Sequence, residues 1–197
     1  MSKMKTLISS VYAGFMIGIG GIIYLSLENK IIGSLLFSFG LLTIVAQGFC
    51  LYTGKIGFVK KTRELLDMVI VVAGNYLGTL LAAGLANAAK LPIYSSKLVA
   101  AKLEKGIGVI FLLAVFCGVM MYLAIDNYNK SKNFVFVIAP VMIFILSGFE
   151  HSVADMFYFN LACSFNFKTL GYICVMIAGN GIGAKLFDIG CHFVSTQ

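Results

Sequence analysis

Residues 147–155 place three ionisable side chains inside a long apolar stretch. The segment reads Ser-Gly-Phe-Glu-His-Ser-Val-Ala-Asp, so Glu150, His151 and Asp155 fall within six residues. Histidine is the side chain whose ordinary pKa suits proton exchange near neutral pH, and the carboxylates could also exchange protons. Charged groups in apolar surroundings are costly unless they face a protein interior or a watery cavity. The segment therefore indicates a polar path through an apolar molecule.

A second polar interruption occurs about a hundred residues earlier. Residues 47–54 read Gln-Gly-Phe-Cys-Leu-Tyr-Thr-Gly, which puts two glycines and two polar side chains into another apolar stretch. Polar, glycine-interrupted segments at matching positions of two halves are the best sequence indication of a solute site in a membrane transporter. We therefore expect both helices to break there, at Gly48 and Gly54 in one half and at Gly148 in the other.

The chain contains an internal duplication. Three short signatures recur in the same order, at offsets of 98, 100 and 105 residues. They are Tyr24–Asn29 with Tyr122–Asn127, Gly48-Phe49 with Gly148-Phe149, and Ala73–Gly78 with Ala178–Gly183. Three matches in order indicate two halves, about 1–93 and 94–197, within one transmembrane domain.

The composition is that of an all-α integral membrane protein. Of 197 residues, 60% are hydrophobic and only 12% are charged, whereas about 25% are charged in a typical soluble domain. Stretches of about 20 apolar residues can cross the hydrocarbon core. We predict six spans, near residues 8–27, 32–52, 67–89, 106–125, 134–158 and 170–193. Because each half has an odd number of spans, the two halves must enter the bilayer from opposite sides, which makes the repeat inverted.

The charges and cysteines exclude several classes of protein. The net charge of +7 comes mainly from lysines between apolar runs, where contact with anionic lipid headgroups explains them better than nucleic acid does. The distribution of basic residues weakly favours a cell-membrane protein with both termini in the cytoplasm. The five cysteines form no C-x-x-C pair, so no metal site, disulfide framework or other cofactor is indicated.

These segments resemble the formate–nitrite transporter family over nearly the whole chain. The family's signature Gly-x-Glu-His-Ser-x-Ala-Asn-Met-x-x is similar to residues 148–158, and its loop Glu-Leu-x-Thr-Gly-Asn is similar to residues 50–55. Its Gly-Asn-x-x-Gly motif matches residues 74–78 and 179–183. The fourth span matches the family pattern at five positions, Lys102, Leu103, Cys117, Leu123 and Ala124. Three positions depart from the family: Asp155 stands where the family has Asn, Cys50 where it often has Glu, and Gly118 where it often has Asn.

The resemblance implies an aquaporin-like protomer of six spans, with its second and fifth helices broken, assembled as a homopentamer with one pore per protomer. It also implies transport of small monovalent weak acids such as formate, nitrite, hydrosulfide, acetate or lactate, often together with a proton. By position, His151 and Thr53 would line the pore and Lys102 would lie in a vestibule. Candidate constriction residues are Phe37, Leu41, Leu51, Tyr52 and Phe144.

Physical chemistry supports such roles independently. A bare anion in an apolar constriction has a Born penalty of tens of kcal/mol, which the neutral acid avoids. A lysine at the mouth concentrates the anion, so we interpret Lys102 as an attractor, although a solvated loop charge is the alternative. Thr53 would be a hydrogen-bond partner and His151 a proton relay or a polar station. Whether His151 or bulk water donates the proton stays open at this point.

Other polar residues have structural interpretations. We expect Glu150 to accept hydrogen bonds from backbone N–H groups freed at the helix break, with a proton carrier as the alternative. Asn75 and Asn180, each beside a glycine, are expected to form hydrogen bonds in helix packing. Lys5 lies 97 residues before Lys102 and could be its counterpart in the inner vestibule.

Asp155 lies four residues after His151, so a helix that continues past the break would put the two on one face. An ionised Asp155 there would favour the imidazolium form of His151. This hypothesis predicts a preference for weak acids of higher pKa over nitrite.

Three other functions compete with transport of weak acids. A facilitator of small neutral solutes would share the architecture, but the paired Asn-Pro-Ala signatures of aquaporins are absent from the sequence. A membrane-embedded enzyme would need a metal cluster or a nucleophile–base pair, neither of which the sequence offers. A scaffold would not need three ionisable groups in one span.

Overall fold

The computed structural model describes residues 2–195, which form a bundle of nine α-helices. No β-strand occurs among these residues. The helices are α1 (Lys3–Ser26), α2 (Lys30–Gln47), α3 (Tyr52–Lys55), α4 (Thr62–Ala88), α5 (Ser96–Glu104), α6 (Ile107–Ser131), α7 (Val135–Leu146), α8 (Ser152–Leu161) and α9 (Phe167–Ser195). A 3₁₀ turn at Ile56–Phe58 follows α3.

Five of these helices, α1, α2, α4, α6 and α9, are long and apolar enough to cross a membrane. Helix α7 is a shorter apolar helix of 12 residues, and α8 continues after it across a break. The predicted all-α membrane fold is confirmed, and the predicted spans coincide with these helices to within several residues. Helix α5 was not predicted, because its charged sequence lacks an apolar stretch.

The predicted breaks at Gly48 and Gly148 are confirmed, whereas the break expected at Gly54 is wrong, because Gly54 lies within α3. Helix α2 ends at Gly48 and α7 is followed by Gly148, and both glycines have left-handed backbones, with φ of 68° and 67°. Glycine adopts this conformation without the steric penalty that a Cβ would impose, so it ends a helix sharply. The second segments differ in length, since α3 has four residues and α8 has ten.

The long helices pack in two equivalent pairs, α1 with α4 and α6 with α9. At the crossing of each pair a glycine lies against a backbone carbonyl. A Cβ on Gly14 would lie 2.1 Å from the oxygen of Asn75, and a Cβ on Gly118 would lie 2.2 Å from that of Asn180. No side chain fits at either position, which gives a physical reason for glycine at residue 118.

The structure corrects one of the three sequence signatures. The paired glycines, Gly14 and Gly118, are 104 residues apart, so Tyr24 corresponds to Tyr128 and not to Tyr122. Both corresponding rings contact a lysine, since Lys30 Nζ lies 4.7 Å from the Tyr24 ring centroid and Lys132 Nζ lies 5.5 Å from that of Tyr128. The pairing of Tyr24–Asn29 with Tyr122–Asn127 is therefore wrong.

Helix α8 lies at the centre of the bundle. All ten of its residues are buried, and it contacts α1, α4, α5 and α9. Its Phe157 ring packs against Gly18 and Gly21 of α1, where an added Cβ would lie within 2.6 Å of that ring or of Ala82. The second break therefore directs the chain into the protein interior, away from lipid.

Candidate functional site

The first break is held by the side-chain amide of Asn75 on α4. Its Oδ1 accepts a hydrogen bond from the backbone N–H of Tyr52 at 2.9 Å. Its Nδ2 donates to the backbone oxygen of Cys50 at 2.9 Å and to that of Ser10 at 2.8 Å. One buried side chain thus satisfies backbone groups of the broken segment and ties that segment to α1.

Asn180 on α9 makes the same three bonds at the second break. Its Oδ1 accepts from the N–H of Ser152 at 2.9 Å, and its Nδ2 donates to the oxygens of Glu150 and Ala114 at 2.9 and 2.8 Å. The expectation that the Glu150 side chain would accept the freed N–H groups is wrong, because the Asn180 amide does so. An amide has both a donor and an acceptor, whereas an ionised carboxylate only accepts.

His151 and Thr53 meet between the two breaks. Thr53 Oγ1 lies 2.9 Å from His151 Nε2, and both side chains are buried. The backbone N–H of Ala154 donates to His151 Nδ1 at 3.1 Å. Because Nδ1 accepts this bond, the neutral ring carries its proton on Nε2 and donates it to the Thr53 hydroxyl. The imidazole is thus oriented by the first turn of α8.

Aromatic and aliphatic side chains surround this pair. The Phe144 ring stacks on His151, with centroids 5.3 Å apart, and the Phe37 ring meets Phe144 edge-on at 6.1 Å. Leu41 of α2 and Leu51, the residue before α3, are also buried. Phe37 and Phe144 therefore pack beside His151, and a constriction formed by these four apolar side chains stays a prediction.

One cavity of about 110 Å³ opens beside His151 and is called the Lys102 cavity. Its wall includes charged groups from α5 and α8 and apolar groups from α7. Lining residues include Lys102, Lys105, Phe144, Gly148, His151 and Asp155. This cavity unites the histidine and the lysine that the sequence predicted as pore residues.

The charges of the Lys102 cavity compensate one another. Lys102 forms an ion pair with Glu150, and its Nζ lies 2.9 Å from Asp155 Oδ1. Lys105 Nζ lies 3.0 Å from the other oxygen of Glu150. Two ammonium groups therefore face two carboxylates. Glu150 and Asp155 are almost fully buried and Lys102 is 8% exposed, so each charge depends on its partners for stabilisation.

The Asp155 side chain forms no hydrogen bond or ion pair with the His151 ring within residues 2–195, although its backbone N–H donates to the His151 carbonyl at 2.9 Å. Both ring nitrogens of His151 are occupied by Thr53 and Ala154, and the cation within ion-pair distance of Asp155 is Lys102. The hypothesis that Asp155 favours the imidazolium form of His151 is therefore wrong. Asp155 Oδ2 has no hydrogen-bond partner among residues 2–195.

A second cavity, of about 190 Å³, lies beyond Leu51 and is called the Lys55 cavity. Seven of its ten lining residues have a counterpart in the lining of the Lys102 cavity at an offset of 100 residues. The corresponding pairs include Gly48 with Gly148, Leu51 with His151, and Lys55 with Asp155. The two cavities thus flank the buried pair of His151 and Thr53 in equivalent positions of the two halves.

Two other predicted site residues lie elsewhere. The Tyr52 hydroxyl donates to the oxygen of Ile177 at 2.9 Å, and the ring lines grooves between α4 and α9. Its placement in the constriction is wrong. Lys5 is exposed near the start of α1 and lines neither cavity. In the helix register it corresponds to Val109, so Lys5 is not the counterpart of Lys102.

The sequence interpretation missed Lys105 and helix α5 as parts of the site. Helix α5 is anchored where Ser95 Oγ donates to the oxygen of Tyr158 at 2.7 Å and Tyr172 Oη donates to that of Leu103 at 3.1 Å. The sequence nevertheless contained a pattern that could have predicted the role of Lys105. Buried Glu150 needs a cation, and Lys102 and Lys105 lie three residues apart, a spacing that puts both on one side of a helical turn.

The fold and site define a helical membrane protein whose two broken helices meet at a buried histidine–threonine pair between two cavities. A family model described as Formate/nitrite transporter matches residues 1–194. The chain belongs to this family.

Its similarity to curated relatives is moderate. It is 27% identical over 156 residues to "Formate channel FocA" of Haemophilus influenzae, covering 66% of this chain and 52% of that protein. It is 23% identical to "Formate channel FocB" of Escherichia coli K12, covering 79% and 66%. The match to "Uncharacterized transporter YrhG" of Bacillus subtilis is 27%, covering 85% and 72%. The chain therefore spans from about half to under three quarters of the length of these relatives.

Two solved structures share the fold over nearly the whole chain. One, described as "FNT family ion channel", has a TM-score of 0.87 at 22% identity, covering 98% of this chain and 91% of that one. The other, described as "Pentameric formate channel with formate bound", has a TM-score of 0.85 at 20% identity, covering 99% and 97%. At these identities the likeness establishes the fold and not the substrate.

Proposed function

We propose that this chain is a channel or proton-coupled transporter for small monovalent weak acids of the formate, nitrite, hydrosulfide, acetate or lactate class. Its family and the names of its relatives, formate channels and a transporter, support transport over an enzymatic role. They also favour an anion over the small neutral solutes of an aquaporin-like facilitator.

The main support is the hydrogen bond between His151 and Thr53, which lies between the two cavities. A bare anion meets a large desolvation penalty among Phe37, Leu41, Leu51 and Phe144. The neutral acid avoids this penalty and exchanges hydrogen bonds with the imidazole N–H and the threonine hydroxyl as it crosses.

The geometry favours His151 as a polar station over a proton donor. Protonation of Nδ1 would remove the acceptor of the Ala154 N–H and set two N–H groups against each other in a buried site. Water in the Lys102 cavity is then the better source of the proton that neutralises the anion. Transport should rise as pH falls, because the fraction of neutral acid rises.

We further propose that the protein functions as a homopentamer in the cell membrane, with both termini in the cytoplasm. The pentamer is inferred from one structural relative, a pentameric formate channel, and the orientation follows the basic residues between spans. Several exposed apolar side chains on the outer helices, including Leu66, Val69 and Leu112, would face lipid or neighbouring protomers.

A flux panel in proteoliposomes tests the proposal. Formate, nitrite, hydrosulfide, acetate, lactate and water are compared with and without a pH gradient, against protein-free vesicles. We expect saturable flux of one or more of the weak acids, and we expect this flux to increase when the external pH is lowered. Water flux without acid flux would overturn the proposal in favour of a neutral-solute facilitator.

A further inference from the structure

The Lys102 cavity and the Lys55 cavity occupy equivalent positions but differ in charge. In the Lys102 cavity the ammonium groups of Lys102 and Lys105 are paired with Glu150 and Asp155. In the Lys55 cavity, Lys55 is the one charged lining residue. The remaining lining groups are apolar side chains, glycines and Asn129.

Lys55 also has a free ammonium group. No hydrogen bond or ion pair involves its Nζ within residues 2–195. By contrast, nearby Lys185 donates to the oxygens of Gly57 and Val59 and pairs with Asp188. Lys55 is half-buried, so its charge is less screened than that of a fully exposed lysine.

We propose that Lys55 is the residue that recruits the anion, and that the electropositive mouth of the pore is the Lys55 cavity. This inference rests on the proposed function and assigns the recruiting role to a residue in the half opposite Lys102. A single uncompensated cation in a cavity with low-dielectric walls raises the local concentration of a small anion. Lys102, whose charge is matched by two carboxylates, mainly holds the other cavity together.

Position 55 also fits a role in recruitment and not in the crossing step. Lys55 ends α3, two residues after Thr53, which bonds His151. An anion held at Lys55 is thus only two residues along the chain from Thr53, beside which it must cross as the neutral acid. The corresponding position in the second half is Asp155, whose negative charge cannot recruit an anion.

The first experiment compares Lys55→Gln and Lys55→Arg with the parent in proteoliposomes. At about 10 mM salt we expect Lys55→Gln to raise the half-saturating anion concentration by about tenfold, and at about 300 mM salt by much less. Lys55→Arg should remain close to the parent. Lys60→Gln is the matched control, because Lys60 is exposed five residues away and lines neither cavity.

A second experiment restores the charge chemically. Lys55→Cys is treated with a cationic or an anionic methanethiosulfonate, alongside the parent, whose own Cys163 and Cys174 are exposed. The cationic reagent should recover flux at low salt and the anionic one should lower it further. The inference would be overturned if both reagents had equal effects, or if Lys55→Gln left the half-saturating anion concentration unchanged at low salt. In either case, weak-acid flux in the parent would still support the proposed function. No weak-acid flux in the parent would overturn both.

Discussion

Asp155 Oδ1 lies 2.9 Å from Lys102 Nζ, so the carboxylate beside the central histidine is paired with the lysine of the cavity wall. Asp155 is almost fully buried, and Lys102 is the cation that balances it. The two residues form one ion pair, so a substitution of either residue removes a charge partner of the other. The first two predictions follow from this pair.

Replacing Lys102 should destabilise the protein and not merely weaken anion attraction. Lys102→Ala leaves Asp155 without a cation, while Glu150 keeps Lys105 at 3.0 Å. Breaking a buried pair from one side costs about 3–5 kcal/mol. We expect a lower melting temperature and a flux defect that is similar at low and high salt, measured on the purified protein and in proteoliposomes.

The double variant Lys102→Ala/Asp155→Asn should recover much of the lost stability, because it removes the unpaired charge as well. The prediction is contradicted if Lys102→Ala has the melting temperature of the parent and its flux defect disappears at high salt. Lys102 would then attract the anion through a charge that salt screens, and the buried pair would contribute little to stability.

Asp155→Asn should shift selectivity toward permanent anions. Removing one carboxylate leaves Lys102 and Lys105 facing Glu150 alone, so the Lys102 cavity gains a net positive charge. We expect the flux of nitrite, relative to hydrosulfide and acetate, to increase severalfold at low salt. Competition assays with equal concentrations of the acids measure this ratio.

The control for Asp155→Asn is Asp126→Asn, which removes a carboxylate paired with exposed Lys130 on α6. Asp126→Asn should leave the ratio unchanged. A ratio equal to the parent's in both variants would show that the charge at position 155 does not act on the permeating solute.

Loss of the Thr53 hydroxyl should impair flux more than it impairs folding. Thr53→Val keeps the shape of the side chain but leaves the His151 N–H unpaired, at about 1–3 kcal/mol for one buried donor. Thr53→Ser retains the hydroxyl and should transport like the parent. His151→Ala should alter flux in the same direction as Thr53→Val. Normal flux of every acid in well-assembled Thr53→Val and His151→Ala would exclude both residues from the pore.

Removing either amide that bridges a break should destabilise the fold. Asn180→Ala leaves the N–H of Ser152 and the oxygens of Glu150 and Ala114 without this partner, each at about 1–3 kcal/mol. Asn75→Ala should behave alike. Fluorescence-detected thermal denaturation in detergent measures the effect.

Asn127→Ala is a suitable control for both amide variants, since the Asn127 side chain makes no hydrogen bond within the described residues. A melting temperature that drops equally in all three variants would argue that the bridges contribute nothing beyond the loss of an amide.

The fold and the breaks could be predicted because they depend on local composition. Long apolar runs determine the spans, and glycines such as Gly48 and Gly148 allow the left-handed turns that end α2 and α7. The resemblance to the family implied that the histidine and the threonine would line one pore. Thr53 and His151 are 98 residues apart, so local sequence patterns could not predict that their side chains form a hydrogen bond.

The charge pairing could not be predicted in the same way. Helical spacing suggested that Asp155 would face His151, but the break turns His151 into the residue that caps α8 through its own Nδ1. Asp155 then meets a lysine brought in by α5, a helix without an apolar signal. The error over Tyr52 has a similar origin, since the direction of a side chain in a four-residue helix depends on its tertiary partners.

The two asparagine bridges secure the broken segments without using the ammonium group of Lys55. Asn75 and Asn180 hold the broken segments from α4 and α9. Lys55 projects from the first segment without contributing to these bonds, whereas Asp155 in the second segment is held by its ion pair with Lys102. A substitution at position 55 can therefore change the charge of the Lys55 cavity while the asparagine bridges stay intact, whereas a substitution at position 155 also removes a partner of Lys102. We therefore expect exchanges of charge at position 55 to alter the preference among small acids at less cost in stability than exchanges at position 155.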